Sequence, residues 1–137
     1  LLNGSQTLDE VWDYVEKHTD EQQAVLVYSS DTPEMVRKYQ ELGTERIAAL
    51  LEQTSADLAK RAVEHGYTRI ISAGGETSGA VTKGLHFSSY QIGESIAPGV
   101  PVMVPATSPD IRLVLKSGNF GQEDFFGRAL SMTRKKA

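Results

Sequence analysis

The sequence predicts an α/β fold in which helices flank a layered, mixed and mostly parallel sheet. In the first half of the chain, segments with one apolar stripe at helical spacing alternate with short apolar runs typical of buried strands. In the second half, such runs follow one another with turn-like connectors between them. That strand-rich half is the reason for expecting a mixed sheet rather than a wholly parallel one.

Composition places the chain among ordinary globular domains. Its 137 residues suit one domain, and its 39% hydrophobic and 23% charged residues exclude a disordered chain. The net charge of −4 gives no general basic field for nucleic acid, and the lack of cysteine excludes disulfides, thiolate zinc sites and thiol nucleophiles. No apolar run approaches the roughly 18–20 residues of a membrane span. We therefore expect no nucleic-acid or membrane partner.

The first half contains three predicted helices and two predicted strands. The capping pair Thr7 and Glu10 opens a helix whose apolar residues share one face. The elements expected, in order, are a helix from about Thr7 to Lys17, a buried strand over 24–28, helices from Pro33 to Gly43 and from Thr44 to Gly66, and a strand over 69–73.

The second half contains three predicted strands between two short helices. The elements expected are a helix near Ser78–Gly84, strands over 87–92, 102–104 and 112–116, and a last helix from about Glu123 that ends in the basic run 134–136. The stretch 96–101 is expected to be a turn-rich connector and not a binding motif. Acid at the start and base at the end of the last helix suit its dipole, so the basic run does not require a nucleic-acid role.

A glycine-rich loop after the strand over 69–73 is the first candidate site. Glycines let the backbone approach a ligand closely, and a following helix N-terminus offers unpaired N–H groups to an anion. We predict that this loop binds phosphate, with Thr77 and Ser78 adding hydroxyl donors. The alternative, a turn that Thr77 or Ser78 merely caps, stays open. The predicted contacts are Gly74, Gly75, Glu76, Thr77, Ser78 and Gly79.

Two catalytic motifs nearly match this loop, and both fail. Gly74 and Gly79 have P-loop spacing, but Ala80 and Val81 stand where that motif needs Lys and Ser or Thr. The same loop imitates a nucleophile elbow with Thr77 at its centre, yet no His follows His86 to act as the base. A hydrolase that uses Thr77 is therefore only a rival hypothesis.

The second candidate loop, 116–121, also follows a strand and precedes a helix. Lys116 offers positive charge to a polyphosphate, and Ser117, Gly118 and Gly121 complete the predicted contacts. Phe120 packs either beside a base or under the loop, and core packing is favoured. Two loops of one kind in a small sheet indicate a nucleotide site, because a triphosphate and a base need separate supports.

The sequence predicts no dedicated metal site. The three histidines, His18, His65 and His86, lack metal-ligand spacing. Glu76 either binds Mg²⁺, directly or through water, or faces solvent, and the sequence leaves both alternatives open.

Four ordered motifs resemble the four-carbon acid sugar kinase family. They are Gly74–Gly79, Ile92-Gly93, Pro98–Pro101, and Leu115–Gly121 with Asp124-Phe125-Phe126. The resemblance implies that residues 1–137 are the C-terminal nucleotide-binding domain of a larger two-domain kinase. It also implies that an absent N-terminal domain holds the sugar acid and the catalytic base. The lack of an initiator Met agrees with that expectation.

The same resemblance implies a cytoplasmic enzyme that uses ATP and Mg²⁺ to phosphorylate a four-carbon sugar acid. The form Lys-Ser-Gly-Asn-Phe-Gly at 116–121 favours 3-oxo-tetronate over threonate or erythronate. In this family the first loop contacts the nucleotide phosphates, and Gly118 with its neighbours forms the other side of the site. We expect the piece alone to be inactive, because no residue is a candidate base. A non-catalytic sensor of nucleotide or phosphosugar is the alternative, and a homodimer is left open.

Overall fold

The computed structural model describes residues 8–20, 24–28, 33–41, 43–117 and 123–133. The chain divides into two compact units between Thr54 and Ser55. Thr7 of the predicted capping pair and the basic run 134–136 lie outside the described residues. No described helix is both long enough and apolar enough to cross a membrane.

The first unit contains the helices α1 (Leu8–His18) and α2 (Pro33–Gln40) and the start of α3 (Thr44–Glu64). These helices confirm the predicted ones to within a few residues. The strand predicted over 24–28 is wrong, because this run has no regular structure and exposes Leu26, Val27 and Tyr28. A strand needs a neighbour that pairs its backbone groups, and the described part of the chain provides none for this run.

The second unit contains one four-stranded sheet. Its strands are β1 (Arg69–Ala73), β2 (Tyr90–Ala97), β3 (Val100–Pro105) and β4 (Arg112–Lys116), arranged in the order β1-β4-β3-β2. Only β1 and β4 pair in parallel, while β3 is antiparallel to both β4 and β2. The predicted mixed sheet is confirmed, but the expectation that it is mostly parallel is wrong.

A tight hairpin between β2 and β3 is the physical reason why the sheet is not mostly parallel. Pro98 and Gly99 join β2 to β3, with Ala97 paired to Val100 and Gly99 at φ +76°. Proline followed by a glycine of positive φ is the residue pair that type II turns favour. The stretch 96–101, expected as a connector, therefore consists of two strand ends and their turn, and β2 begins and ends later than the predicted strand over 87–92.

Helices cover both faces of the sheet. Adjacent residues of a strand face opposite sides, and Leu113 and Val114 of β4 belong to two different apolar clusters. Leu113 packs with Ala59 of α3 and with the helix α4 (Gly75–Leu85), which starts three residues before the predicted Ser78. The other cluster packs Val114 with Phe125 and Ala129 of α5 (Phe125–Met132). The second unit is thus an α/β/α layer arrangement around β4.

We predict that Gly84→Ala destabilises the fold, whereas Gly79→Ala in the same helix does not. A Cβ at Gly84 would lie 2.9 Å from the Cβ and 3.2 Å from the carbonyl oxygen of Ala56 in α3. Such overpacking costs about 1–3 kcal/mol. A Cβ at Gly79 meets no described atom within 4 Å, so the helix propensity of alanine should add about 0.5–1 kcal/mol there.

Thermal and urea unfolding of both variants would measure the difference. Equal stability of Gly84→Ala and Gly79→Ala would contradict the close approach of α4 to α3.

Candidate functional site

The carboxyl ends of β1 and β4 finish side by side at one edge of the sheet. Their parallel register pairs Ala73 with Lys116, and the Gly74 N–H donates a hydrogen bond of 2.7 Å to the Lys116 carbonyl oxygen. The two loops predicted as binding elements therefore begin next to each other. Ligands of α/β sheets bind at such edges, outside the carboxyl ends of the strands. Residues 118–121 of the second loop, which include the predicted contacts Gly118 and Gly121 as well as Phe120, lie outside the described residues.

A left-handed glycine starts α4 directly at this edge. Gly74 is the N-cap residue, with φ +106° and ψ 137°, and no side chain caps the helix. The alternative in which Thr77 or Ser78 caps the turn is therefore wrong, because both residues lie inside α4. The N–H groups of Gly75, Glu76 and Thr77 have no hydrogen-bond partner among the described residues. They form the positive end of the helix dipole, and Gly75 and Glu76 are exposed.

Ser78 links α4 to both strand ends. Its hydroxyl lies 3.4 Å from the Lys116 carbonyl oxygen and 3.5 Å from Ser72 Oγ, and the residue is buried. Its N–H donates to the Gly74 carbonyl oxygen at 2.9 Å. The Ser78 hydroxyl thus faces the sheet, and its predicted contact with phosphate stays a prediction. Thr77 is half-buried, and Gly79 lies exposed one residue beyond Ser78.

Lys116 extends from the opposite face of β4. Val114 and Lys116 share one face of the strand, the face that α5 covers. The Lys116 ammonium lies 5.7 Å from the centroid of the Phe125 ring, within cation–π range. Ser117 follows as an exposed residue. The edge therefore presents backbone donors on the α4 side and a positioned cation on the α5 side.

One element of this edge was not predicted from the sequence. The pairing of Val102 with Val114, continued along the antiparallel strands, brings Val100 opposite Lys116. The Pro98–Gly99 turn, which had been interpreted as a plain connector, consequently lies at the same edge as the two loops. A Pro-Gly pair marks a turn, and this is the signal by which the sequence could have located it.

Charge at the edge includes one carboxylate in the first turn of α4. Glu76 is exposed and stabilises the helix through its dipole. Among the described residues, no group of three His, Asp or Glu side chains could hold a metal ion. A divalent cation here would need Glu76 together with ligand phosphates and water, which is the usual manner in which proteins bind Mg²⁺.

The resolved pKa shift among the described residues belongs to a group far from this edge. Burial raises the pKa of the Tyr90 hydroxyl above its ordinary value, and this hydroxyl has no described hydrogen-bond partner. Tyr90 starts β2, which runs parallel to β4 across the sheet, so it lies at the opposite edge. Tyr90 is therefore not part of the candidate site.

These features define an α/β domain with an open helix N-terminus at the carboxyl edge of its sheet, the position where α/β domains bind ligands. Residues 1–126 match the model of the nucleotide-binding C-terminal domain family. The chain belongs to that family.

Several similar proteins carry the name 3-oxo-tetronate kinase. The one from Pseudomonas fluorescens is 46% identical over 112 residues, which are 81% of this chain and 26% of the relative. Those from Actinobacillus succinogenes and Haemophilus influenzae are 42% and 38% identical over 132 residues, 96% of this chain and 32% of each relative. The chain thus spans about a third or less of the length of these relatives.

Two solved structures share the fold over most of the chain. A protein from Haemophilus influenzae superposes with a TM-score of 0.85 at 38% identity, covering 93% of this chain and 31% of that one. A protein from Salmonella typhimurium LT2 superposes with a TM-score of 0.78 at 37% identity, covering 89% of this chain and 29% of that one. The architecture around the candidate site is therefore one that experiment has already described in relatives.

We predict that Gly74→Ala destabilises the chain by about 1–3 kcal/mol, the cost of forcing an L side chain into a sparsely populated backbone conformation. Gly75→Ala is the matched control, because Gly75 lies in the helix and a Cβ there meets no described atom within 4 Å. Chemical denaturation compares the two variants. A Gly74→Ala variant as stable as the control would show that the turn does not need the positive φ of +106°.

Proposed function

We propose that the chain is the ATP-binding domain of a kinase that phosphorylates a four-carbon sugar acid, with 3-oxo-tetronate as the favoured substrate. One observation carries the proposal: three open N–H groups of α4 lie beside the end of β4, tied to it by the Gly74–Lys116 hydrogen bond. The family match and the names of the relatives support the same activity. Threonate and erythronate are the other candidate substrates.

Phosphoryl transfer depends on positioning and on neutralising the charge of the transferred group. In the proposed site, the N–H groups of Gly75, Glu76 and Thr77 bind phosphate oxygens, and Lys116 adds positive charge from the α5 side. Ser117, Gly118 and Gly121 stay predicted nucleotide contacts, as the family resemblance implies. Mg²⁺, when bound, would neutralise part of the phosphate charge, and the exposed Glu76 would hold it directly or through water.

In this proposal, binding of the sugar acid and activation of its hydroxyl depend on a part of the kinase outside residues 1–137. The described edge contains no histidine, and its one helical carboxylate, Glu76, already has a role beside the phosphates. We propose that an N-terminal domain binds the sugar acid and supplies the base that activates its hydroxyl. The kinase would act in the cytoplasm, where ATP is available.

A Thr77 hydrolase finds no support in this geometry. Thr77 is the third residue of α4, and His86 follows the last residue of the same helix. Nine residues of α-helix separate them by about 14 Å, which is too far for a nucleophile and its base. A sensor of phosphosugars remains distinguishable from a kinase by its ligand preference.

We predict that the chain binds Mg–ADP and that Gly75→Ala weakens this binding at least about tenfold while leaving the fold intact. The reason is that a Cβ at Gly75 projects into open space where the phosphates would approach the backbone. Titration calorimetry with Mg–ADP, and with a sugar phosphate as competitor, measures the effect. Gly79→Ala, one turn further along α4, is the comparison variant and should bind more tightly than Gly75→Ala.

Two results would count against the proposal. No binding of Mg–ADP by the unaltered chain would exclude the nucleotide site, and a preference for the sugar phosphate would favour the sensor.

We also predict that residues 1–137 alone transfer no phosphoryl group, although they bind the nucleotide. A coupled assay with ATP, Mg²⁺ and 3-oxo-tetronate, threonate or erythronate tests this, with the full-length Haemophilus influenzae relative as the positive control. Steady turnover by the isolated chain would show that the base lies within it.

A further inference from the structure

We infer that Phe125 is a positioning residue that holds the Lys116 ammonium ready for the phosphates of a bound nucleotide. The inference rests on the proposed function and adds a residue that has no role in it so far. It starts from the juxtaposition of an ammonium and a ring, 5.7 Å apart, at the edge that carries the phosphate-binding N–H groups.

The Phe125 ring is a fixed platform. Phe125 is 4% exposed and packs with Ile96, Val114 and Ala129 in the apolar cluster between the sheet and α5. Close packing of this kind restricts a ring to one rotamer. A fixed aromatic face attracts a cation through its quadrupole, so the Lys116 ammonium has a preferred place above the core.

Lys116 is connected to the candidate site through its main chain as well. Its carbonyl oxygen accepts the Gly74 N–H and lies within 3.4 Å of the Ser78 hydroxyl. The backbone of Lys116 is therefore fixed against the start of α4, while its side chain lies over Phe125. Because both its backbone and its side chain have contacts, Lys116 loses fewer conformations when a ligand binds.

Phe125 would affect nucleotide affinity by restricting the conformations of the Lys116 side chain. A lysine side chain has four rotatable bonds, and ordering them costs up to about 2 kcal/mol. A ring that orders the side chain beforehand removes part of this cost from the binding step. If the pair instead only covered the core, removing the ring would change stability and leave nucleotide affinity as it was.

A double-mutant cycle on Mg–ADP binding separates these roles. The variants are Phe125→Leu, Lys116→Met and the two together, measured by titration calorimetry. We expect Phe125→Leu to weaken binding about 2–5-fold, the range of an ordinary cation–π contribution. Lys116→Met should weaken it more, and adding Phe125→Leu to Lys116→Met should cause no further loss.

Salt dependence is a readout that a purely structural role would not change. Interactions between exposed charges weaken as ionic strength rises. The loss caused by Phe125→Leu should therefore shrink between low and high salt, as the loss caused by Lys116→Met does.

Two further variants control for damage to the core. Val102→Ala removes volume from the same apolar cluster and should lower thermal stability without changing Mg–ADP affinity. Phe125→Tyr keeps the aromatic face and should retain affinity even where its buried hydroxyl lowers stability, so the inference can be tested if Phe125→Leu does not fold.

The failure of the inference and the failure of the proposed function are distinguishable. No Mg–ADP binding by the unaltered protein overturns both. Binding by the unaltered protein together with an unchanged affinity of Phe125→Leu, or with losses that add in the double variant, overturns only the role of Phe125.

Discussion

The parallel pairing of β1 with β4 is the constraint on which the candidate site depends. Its register places Ala73 beside Lys116, and the hydrogen bond from Gly74 to Lys116 continues the ladder one step beyond the strand. Two loops far apart in the sequence consequently leave the sheet at neighbouring points. An antiparallel pairing would have sent them to opposite edges, where they could not contact one ligand.

At the described edge, the hydrogen-bond donors are backbone N–H groups, whereas many nucleotide sites also use a lysine in the glycine-rich loop. Gly74 adopts a backbone conformation that other residues avoid, so α4 begins immediately and its first N–H groups point outward. A backbone donor needs no side-chain ordering, and its direction is set by the fold. In the proposed site the cation is Lys116, across the end of β4, in place of a P-loop lysine next to the glycines.

The sequence predicts the elements that build the site better than it predicts the sheet around them. Strand β4 over 112–116 has its predicted bounds, and the glycine corner after β1 is visible as a motif. Strand pairing is not a local property, so the apolar run 24–28 was wrongly interpreted as a buried strand. The Pro98–Gly99 pair predicts a turn, but the sequence does not show that antiparallel strands flank it, so the hairpin that makes the sheet mixed was not predicted. The two bonds of Ser78 depend on which strand lies beside α4, and no spacing rule contains that information.

The unpaired N–H groups at the start of α4 are a second feature of the edge where β1 and β4 end. Buried backbone groups are nearly always paired, so unpaired N–H groups persist in a fold only where water or a ligand can reach them. The exposed Gly75 and Glu76 satisfy this condition. A polyphosphate is the ligand that we propose for these N–H donors and for the Lys116 ammonium, because its oxygens are numerous and negatively charged. Under the proposed function, this edge binds the phosphoryl donor, and the acceptor hydroxyl is activated by groups that the described edge does not provide.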